Sequence, residues 1–366
     1  MIKPITALTE QELNGKKVLL RVDFNLPVAE GKISEFYRVD AAKETIDFLS
    51  SRGAIVGILS HITAVKSFEP IFEQIKTRLA PEIKFISGAA IGGEVAANLG
   101  AAAPGDVFML ENVRQHEGEE KNDEDFAKKL AANFDIYVND AFAACHRAHA
   151  SLTSIAKFLP AYGGPLLMKE IENLARAIET PREGKTLILG GAKVESKLPV
   201  IENFLYRAEN ILIGGVVANV FLKAKGVDIG KSLVDDNFLP KAKQLMEAKS
   251  DLGIPDDFII WNGMILDIGQ NTLLGYKNVI AKSKMIIWSG PLGKIETPEF
   301  ARGSEAIARA IAESGAFSII GGGDTLAVIG KLNLKDKFGY VSTGGGAMLE
   351  FLAGKTLPGL KALNNE

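Results

Sequence analysis

The chain has 366 residues, with 42 Lys and Arg against 45 Asp and Glu, one cysteine and 37 glycines. Its length suits two domains, its 47% apolar content excludes disorder, and a net charge of −3 excludes a partner held by a bulk basic surface, such as nucleic acid. One cysteine excludes an internal disulfide and suits a reducing compartment.

The amino terminus, MIKPITALTEQEL, lacks the apolar centre of a leader, and no apolar run approaches the ~18 residues of a membrane span. A cytoplasmic location and no membrane partner are therefore expected. In chain order, the predicted strands of the first half are KKVLLRVDF (16–24), GAIVGILSH (53–61), IKFISG (83–88), GDVFMLENV (105–113) and FDIYVND (134–140). Those of the second half are KTLILGG (185–191), NILIGG (210–215), DFIIW (257–261), MIIWSG (285–290) and FSIIGGGD (317–324). Continuous apolar strands alternating with helical stretches predict buried parallel sheets, hence an α/β chain of two doubly wound, Rossmann-like domains. Gly163, Gly164 and Pro165 break the chain, a charged amphipathic helix follows, and Pro181 ends it. The expected boundaries are 1–162 for the first domain, 163–180 for a linker helix acting as a hinge, and 181–351 for the second domain.

Ligands of open α/β sheets bind beyond the carboxyl ends of the strands. In the first half these ends carry Asp23, Asn25, His61, Arg114 and Asp140, with His146, Arg147 and His149 close behind. With Arg21 and Arg38 they predict a rim of arginines and histidines with few competing carboxylates, suited to a small, strongly anionic molecule. Arg21, inside its strand, reads equally as a structural ion pair, and Asp140 as a helix cap. In the second half the ends are glycine loops at 190–191, 214–215, 290–293, 321–323 and 344–346. Glycine lets a backbone approach phosphate and aims amides at it from a helix start. Lys193 and Lys197 add charge, and Asp324 suits a magnesium ion on a polyphosphate. The second half is therefore expected to bind a nucleotide, and the pair of anion sites points to phosphoryl transfer.

Three other patterns carry less. GVDIGKS (226–232) has Lys225 where a P-loop needs glycine, and no strand precedes it. Cys145, His146 and His149 do not converge as zinc ligands must. No G-x-G-x-x-G follows the first strand, which weighs against a dehydrogenase.

With these residues laid out, the chain resembles the phosphoglycerate kinase family over nearly its whole length. The matching segments are RVDFNLP (21–27), LENVRQHEGEE (110–120), YVNDAFAACHRAHAS (137–151), GGAKVESK (190–197), GPLGKIE (290–296), GGGDT (321–325) and VSTGGGAMLE (341–350). The resemblance implies reversible transfer of the acyl phosphate of 1,3-bisphosphoglycerate to Mg·ADP. It implies glycerate contacts at Asp23 and Asn25, anionic-group contacts at His61, Arg114 and Arg147, and a catalytic Arg38. On the nucleotide side it implies Lys193, Gly323 and Gly346 at the transferring phosphoryl group. Gly191, Lys197, Gly214, Gly322 and Thr325 would lie along the nucleotide, Glu296 on the ribose, and Asp324 on the metal. A monomer is expected, with the tail 352–366 packing on the first domain.

The chain departs from the family pattern at Ala64, where an arginine is usual, and Lys66 is the candidate replacement. Val216 stands for a glycine, Ser289 for an asparagine, and Ala143-Ala144 for Gly-Thr, which bears on affinity and on ATP against GTP. A non-catalytic nucleotide- or phosphate-binding descendant is the alternative that these departures raise.

Overall fold

The computed structural model describes residues 1–79 and 82–364; residues 365–366 of the tail lie outside them. The chain divides into two compact units, 1–171 with 356–366, and 172–355.

In the first unit the strands are β1 (Lys17–Arg21), β2 (Val28–Ala29), β3 (Lys32–Ile33), β4 (Ile55–Leu59), β5 (Lys84–Ile86), β6 (Val107–Leu110), β7 (Ile136–Asn139) and β8 (Ala161–Gly163). Six of them form one parallel sheet in the order β5-β6-β4-β1-β7-β8. β2 and β3 form a separate hairpin. Strands β1, β4 and β7 are buried along almost their full length, which is why they read as unbroken apolar runs. The helix Tyr37–Ser50 lays Val39, Ala42, Ile46 and Leu49, a helical spacing, into the core beside them. From the central strand β1 the chain builds one side of the sheet (β4 to β6) and then crosses to the other (β7, β8), so the functional loops gather at one edge.

The second unit contains β9 (Lys185–Leu189), β10 (Asn210–Ile213), β11 (Phe258–Trp261), β12 (Met264–Ile268), β13 (Met285–Ser289), β14 (Phe317–Gly321) and β15 (Tyr340–Val341). Its parallel sheet has the order β10-β9-β13-β14-β15, so the chain reverses direction across the sheet between β9 and β13. Trp288 of β13 is fully buried in the core and donates through Nε1 to the Gly290 carbonyl at 2.9 Å, tying the sheet to the glycine loop at 290–293.

One expected strand has a different place. Residues 257–261 were expected among the buried parallel strands, but β11 pairs antiparallel with β12 in a two-stranded hairpin, leaving Ile260 and Trp261 each 60% exposed. Asn262 and Gly263 both have positive φ, 52° and 76°, and the two-residue turn they form reverses the chain before any crossover helix can start. The short strand β8 closes the expected first domain and runs one residue, Gly163, into the expected linker.

The helix Pro165–Glu179 carries the chain from one unit into the next, which begins at Glu172. The carboxyl-terminal helix Pro358–Leu363 belongs to the first unit, where Gly359 N donates to Cys145 O at 2.9 Å.

Candidate functional site

The loops after β1, β4, β6 and β7, with the start of the helix Tyr37–Ser50, carry the basic residues of the first unit, and the charges of Arg21, Arg38, Arg114 and Arg147 all act on His61. Arg38, in the first turn of the helix Tyr37–Ser50, donates through Nη1 to Asp23 Oδ2 at 3.1 Å and to the Asn25 carbonyl at 3.0 Å. Asp23 also caps Asn25 N at 2.9 Å, and Asn25 Oδ1 accepts from Thr63 N at 3.0 Å and Thr63 Oγ1 at 2.8 Å. Arg114, on the short helix Val113–Gln115, pairs with Glu120 at 3.1 Å, and Arg147 Nε donates to His146 Nε2 at 3.3 Å. The expected scarcity of carboxylates is therefore corrected at two arginines, because Asp23 and Glu120 each sit against one.

His61 is 4% exposed. Burial first, and then the guanidinium groups of Arg21, Arg114, Arg147 and Arg38, hold its pKa far below the ordinary histidine value. Arg21 is fully buried and does not line the rim as a free guanidinium. It donates to Ser151 Oγ at 2.9 Å, to the Val22 carbonyl, and to His61 Nδ1 at 3.1 Å. The loop carrying Ala64 and Lys66 is held from below. Glu111 accepts from Phe68 N at 2.9 Å, and Asn112 Nδ2 donates to the Ile62 and Lys66 carbonyls at 3.0 and 3.1 Å. Ala64 and Lys66 are exposed on that loop.

Asp140 takes no part in this rim. It is buried, accepts from Thr45 Oγ1 and from Leu167 N at 3.0 Å, and so caps the helix Pro165–Glu179. Burial pushes its carboxyl up to about 6, with the Glu44 charge adding to the effect.

In the second unit a cavity of about 300 Å³ opens beside the carboxyl ends of β9 and β13. Gly191, Val216, Glu296 and Asp324 line it, together with an apolar wall that includes Leu222, Phe258, Met264 and Leu292. Such a cavity, mostly apolar with a few polar groups at the margin, suits a nucleoside. Phe258 and Met264 come from the β11–β12 hairpin, which sequence reasoning does not assign to the site. Its signal was the Asn262-Gly263 dipeptide between two apolar runs.

Exposed Lys193 is the N-cap residue of the helix Val194–Phe204, and Lys197 lies buried one turn inside. Burial and the Lys193 charge lower the Lys197 pKa, and Asp324 opposes them, so these three charges share one neighbourhood. Asp324 is exposed in the first turn of the helix Gly323–Lys331, whose N-cap is Gly322. The amides of that first turn have no partner within the helix and form the positive end of its dipole. Thr325 is fully buried, and its Oγ1 accepts from Gly290 N at 2.7 Å. Gly346 opens the helix Gly346–Leu352 and does not line the cavity.

The glycine loops interlock with one another. Gly190 N donates to Ser289 O at 3.0 Å, Gly191 N to Pro291 O at 2.7 Å, Gly214 N to Leu189 O and Gly215 N to Leu292 O at 2.9 Å each. A Cβ on Gly190 would lie 2.1 Å from Pro291 O, and one on Gly290 would lie 2.3 Å from Gly190 O. At these positions glycine allows backbone to approach backbone, so the expectation that their amides face phosphate is corrected for Gly191 and Gly214. The decoy GVDIGKS packs against the hairpin turn, with Lys231 N donating to Gly263 O at 2.7 Å.

Two parallel α/β units, one with a basic rim and one with a nucleoside-sized cavity flanked by lysines, define the class of nucleotide-using phosphotransferases. The model of the family described as phosphoglycerate kinase matches residues 8–355. Curated relatives named phosphoglycerate kinase include one from Moorella thermoacetica, 40% identical over 98% of this chain and 99% of its own length. Another, from Dictyoglomus turgidum, is 41% identical over 100% and 99%. The solved phosphoglycerate kinase of Coxiella burnetii superposes with a TM-score of 0.86 at 37% identity, covering 100% of this chain and 99% of that one. That of Pyrococcus horikoshii reaches 0.90 at 33% identity, covering 99% and 98%. The chain belongs to the phosphoglycerate kinase family.

Proposed function

We propose that this chain is a glycolytic phosphoglycerate kinase, which reversibly moves the acyl phosphate of 1,3-bisphosphoglycerate to Mg·ADP to give 3-phosphoglycerate and ATP. The observation that carries the proposal is that each reactant class has its own built surface, a basic rim on one unit and the cavity with its lysines on the other. On the first unit Asp23 and Asn25 hold the glycerate hydroxyl and carboxylate region, while His61, Arg114 and Arg147 meet its anionic oxygens. Arg38 stabilises charge on the phosphoryl group in transit, held in place meanwhile by Asp23 Oδ2 and the Asn25 carbonyl. On the second unit the apolar wall takes the base, Glu296 the ribose hydroxyls, Lys197 the nucleotide phosphates, and Lys193 the phosphoryl group. Gly191 shapes the cavity wall, Gly214 ties its loop to the Leu189 carbonyl, and Thr325 braces the Gly290 loop. The amides at Gly322-Gly323 and at Gly346 lie toward the transferring group.

The residues present fit a magnesium ion carried on nucleotide phosphate, since such an ion takes only one or two protein carboxylates and Asp324 lines the cavity beside the lysines. When bound it neutralises phosphate oxygens. The protein's own contribution is to orient both reactants and to exclude water. We assign the domains as 1–162 and 181–351, with 163–180 as the joint, and take the protein to act as a cytoplasmic monomer. Among the described residues no helix is long and apolar enough to cross a membrane.

The test is formation of 1,3-bisphosphoglycerate from ATP and 3-phosphoglycerate, followed by a coupled NADH-consuming assay. Turnover is expected. No turnover at millimolar substrate, with ATP still bound, would overturn the proposal in favour of a binding protein.

A further inference from the structure

The buried support beneath the basic rim fixes which proton His61 carries. A guanidinium has only donors, so at the 3.1 Å contact between Arg21 Nη2 and His61 Nδ1 the imidazole nitrogen must accept. A neutral ring then carries its hydrogen on Nε2. Arg21 is itself held from further inside. Its Nε donates to Ser151 Oγ at 2.9 Å, and Ser151 Oγ donates to Glu119 Oε1 at 2.6 Å. The other oxygen of Glu119 accepts from Ser151 N at 2.8 Å, and Tyr137 OH donates to Ser151 O at 2.7 Å. Arg21, Tyr137, Ser151 and Glu119 are all fully buried.

We propose that Glu119, acting through Ser151 and Arg21, is a positioning residue that locks His61 as the neutral Nε2–H tautomer. His61 thereby offers a fixed hydrogen-bond donor to an anionic oxygen, and never a competing acceptor. The charges facing the ring favour the neutral form as well: Arg21 at the end of β1, Arg38 on the helix Tyr37–Ser50, Arg114 after β6 and Arg147 after β7. Glu119 balances Arg21 from below, so a buried guanidinium can stand against the imidazole without an exposed carboxylate blocking the rim. That the oxygen belongs to 3-phosphoglycerate rests on the proposed function; the tautomer does not.

The experiment is a long-range ¹H–¹⁵N spectrum of the full chain, with the His61 ring assigned by its loss in His61→Gln. The expected ring is neutral, protonated at Nε2, and unchanged from about pH 5 to 8. A proton on Nδ1, or an imidazolium within that range, overturns the proposal. Ser151→Ala breaks the relay. It should give averaged tautomer shifts at His61 and raise KM for 3-phosphoglycerate about 5–10-fold, leaving KM for ATP unchanged. A wild-type His61 spectrum in a folded Ser151→Ala would remove Glu119 and Ser151 from the account. Should that variant not fold, Glu119→Gln, which keeps the shape and removes the charge, carries the same two expectations. A chain with the Nε2–H ring but no turnover would refute the kinase reading and leave the tautomer standing.

Discussion

Asp140 provides a quantitative test of how a strand-end carboxylate is used for structure. Asp140 is 1% exposed, and its side-chain oxygens accept from Thr45 Oγ1 and Leu167 N, the latter at 3.0 Å. Gly164 packs so closely that a Cβ there would lie 2.2 Å from Asp140 Oδ1. Burial raises the carboxyl from 3.8 to about 6, and at about 1.4 kcal/mol per pH unit the difference amounts to about 3 kcal/mol. Below the unfolded pKa the group is protonated in both states, and its contribution to stability is fully present. As pH rises toward 6 the unfolded chain ionises first, and the contribution is lost as pH passes through the folded value. Asp140→Asn keeps an acceptor for Leu167 N and turns its amide toward the Thr45 hydroxyl, which can also accept. Urea unfolding of the full chain should therefore find the two proteins within about 1 kcal/mol near pH 4, with the Asp140→Asn variant gaining about 3 kcal/mol on the wild type by about pH 7. Asp140→Ala, which strands two buried donors, should instead cost about 2–5 kcal/mol even at low pH. Parallel stability curves for wild type and Asp140→Asn across this range would refute the reasoning.

Other substitutions test the site itself. Arg38→Ala should lower kcat by about 10²-fold or more with nucleotide affinity unchanged in equilibrium titration, as expected for a group that acts on transition-state charge. Lys66→Ala should raise KM for 3-phosphoglycerate about 3–5-fold, the loss of one exposed cationic contact; an unchanged KM would leave Ala64 uncompensated. Val216→Gly removes an isopropyl group from the wall of the 300 Å³ cavity. It should lower KM for GTP relative to ATP by about 3–10-fold, since guanine is the bulkier base.

The sheets were legible because their central strands are buried on both faces. Residues 55–59 and 185–189 read as apolar runs for the same reason that every residue of β4 and β9 is buried. Periodicity could not separate such a run from the run at 258–261, which is also apolar but mostly exposed. There the information lay in the Asn262-Gly263 turn, a local signal that outranks hydrophobicity in deciding where a chain reverses. Many candidate residues lie just beyond strand ends, because topology fixes where ligands can approach, while Arg38 and Lys197 sit on the helices that follow. Their individual duties were less legible, since the same residue types serve as ligand contacts and as supports.

Burial separates those duties. Arg38 and Arg21 both belong to the basic set of the first half, yet the Arg38 side chain is 32% exposed and Arg21 is fully buried. On the proposed function the rim guanidinium of Arg38 meets a phosphate oxygen while Asp23 and the Asn25 carbonyl hold it. Arg21, enclosed by Ser151, Val22 and His61, does not, and its charge acts only through the histidine it holds. Thr325 and Asp324 divide in the same way, one closed around Gly290 N and the other open beside Lys197. In these two pairs the exposed member is the one open to a ligand and its buried neighbour sets the geometry, whereas His61 and Lys197 are themselves buried, so burial alone does not decide the duty of every candidate.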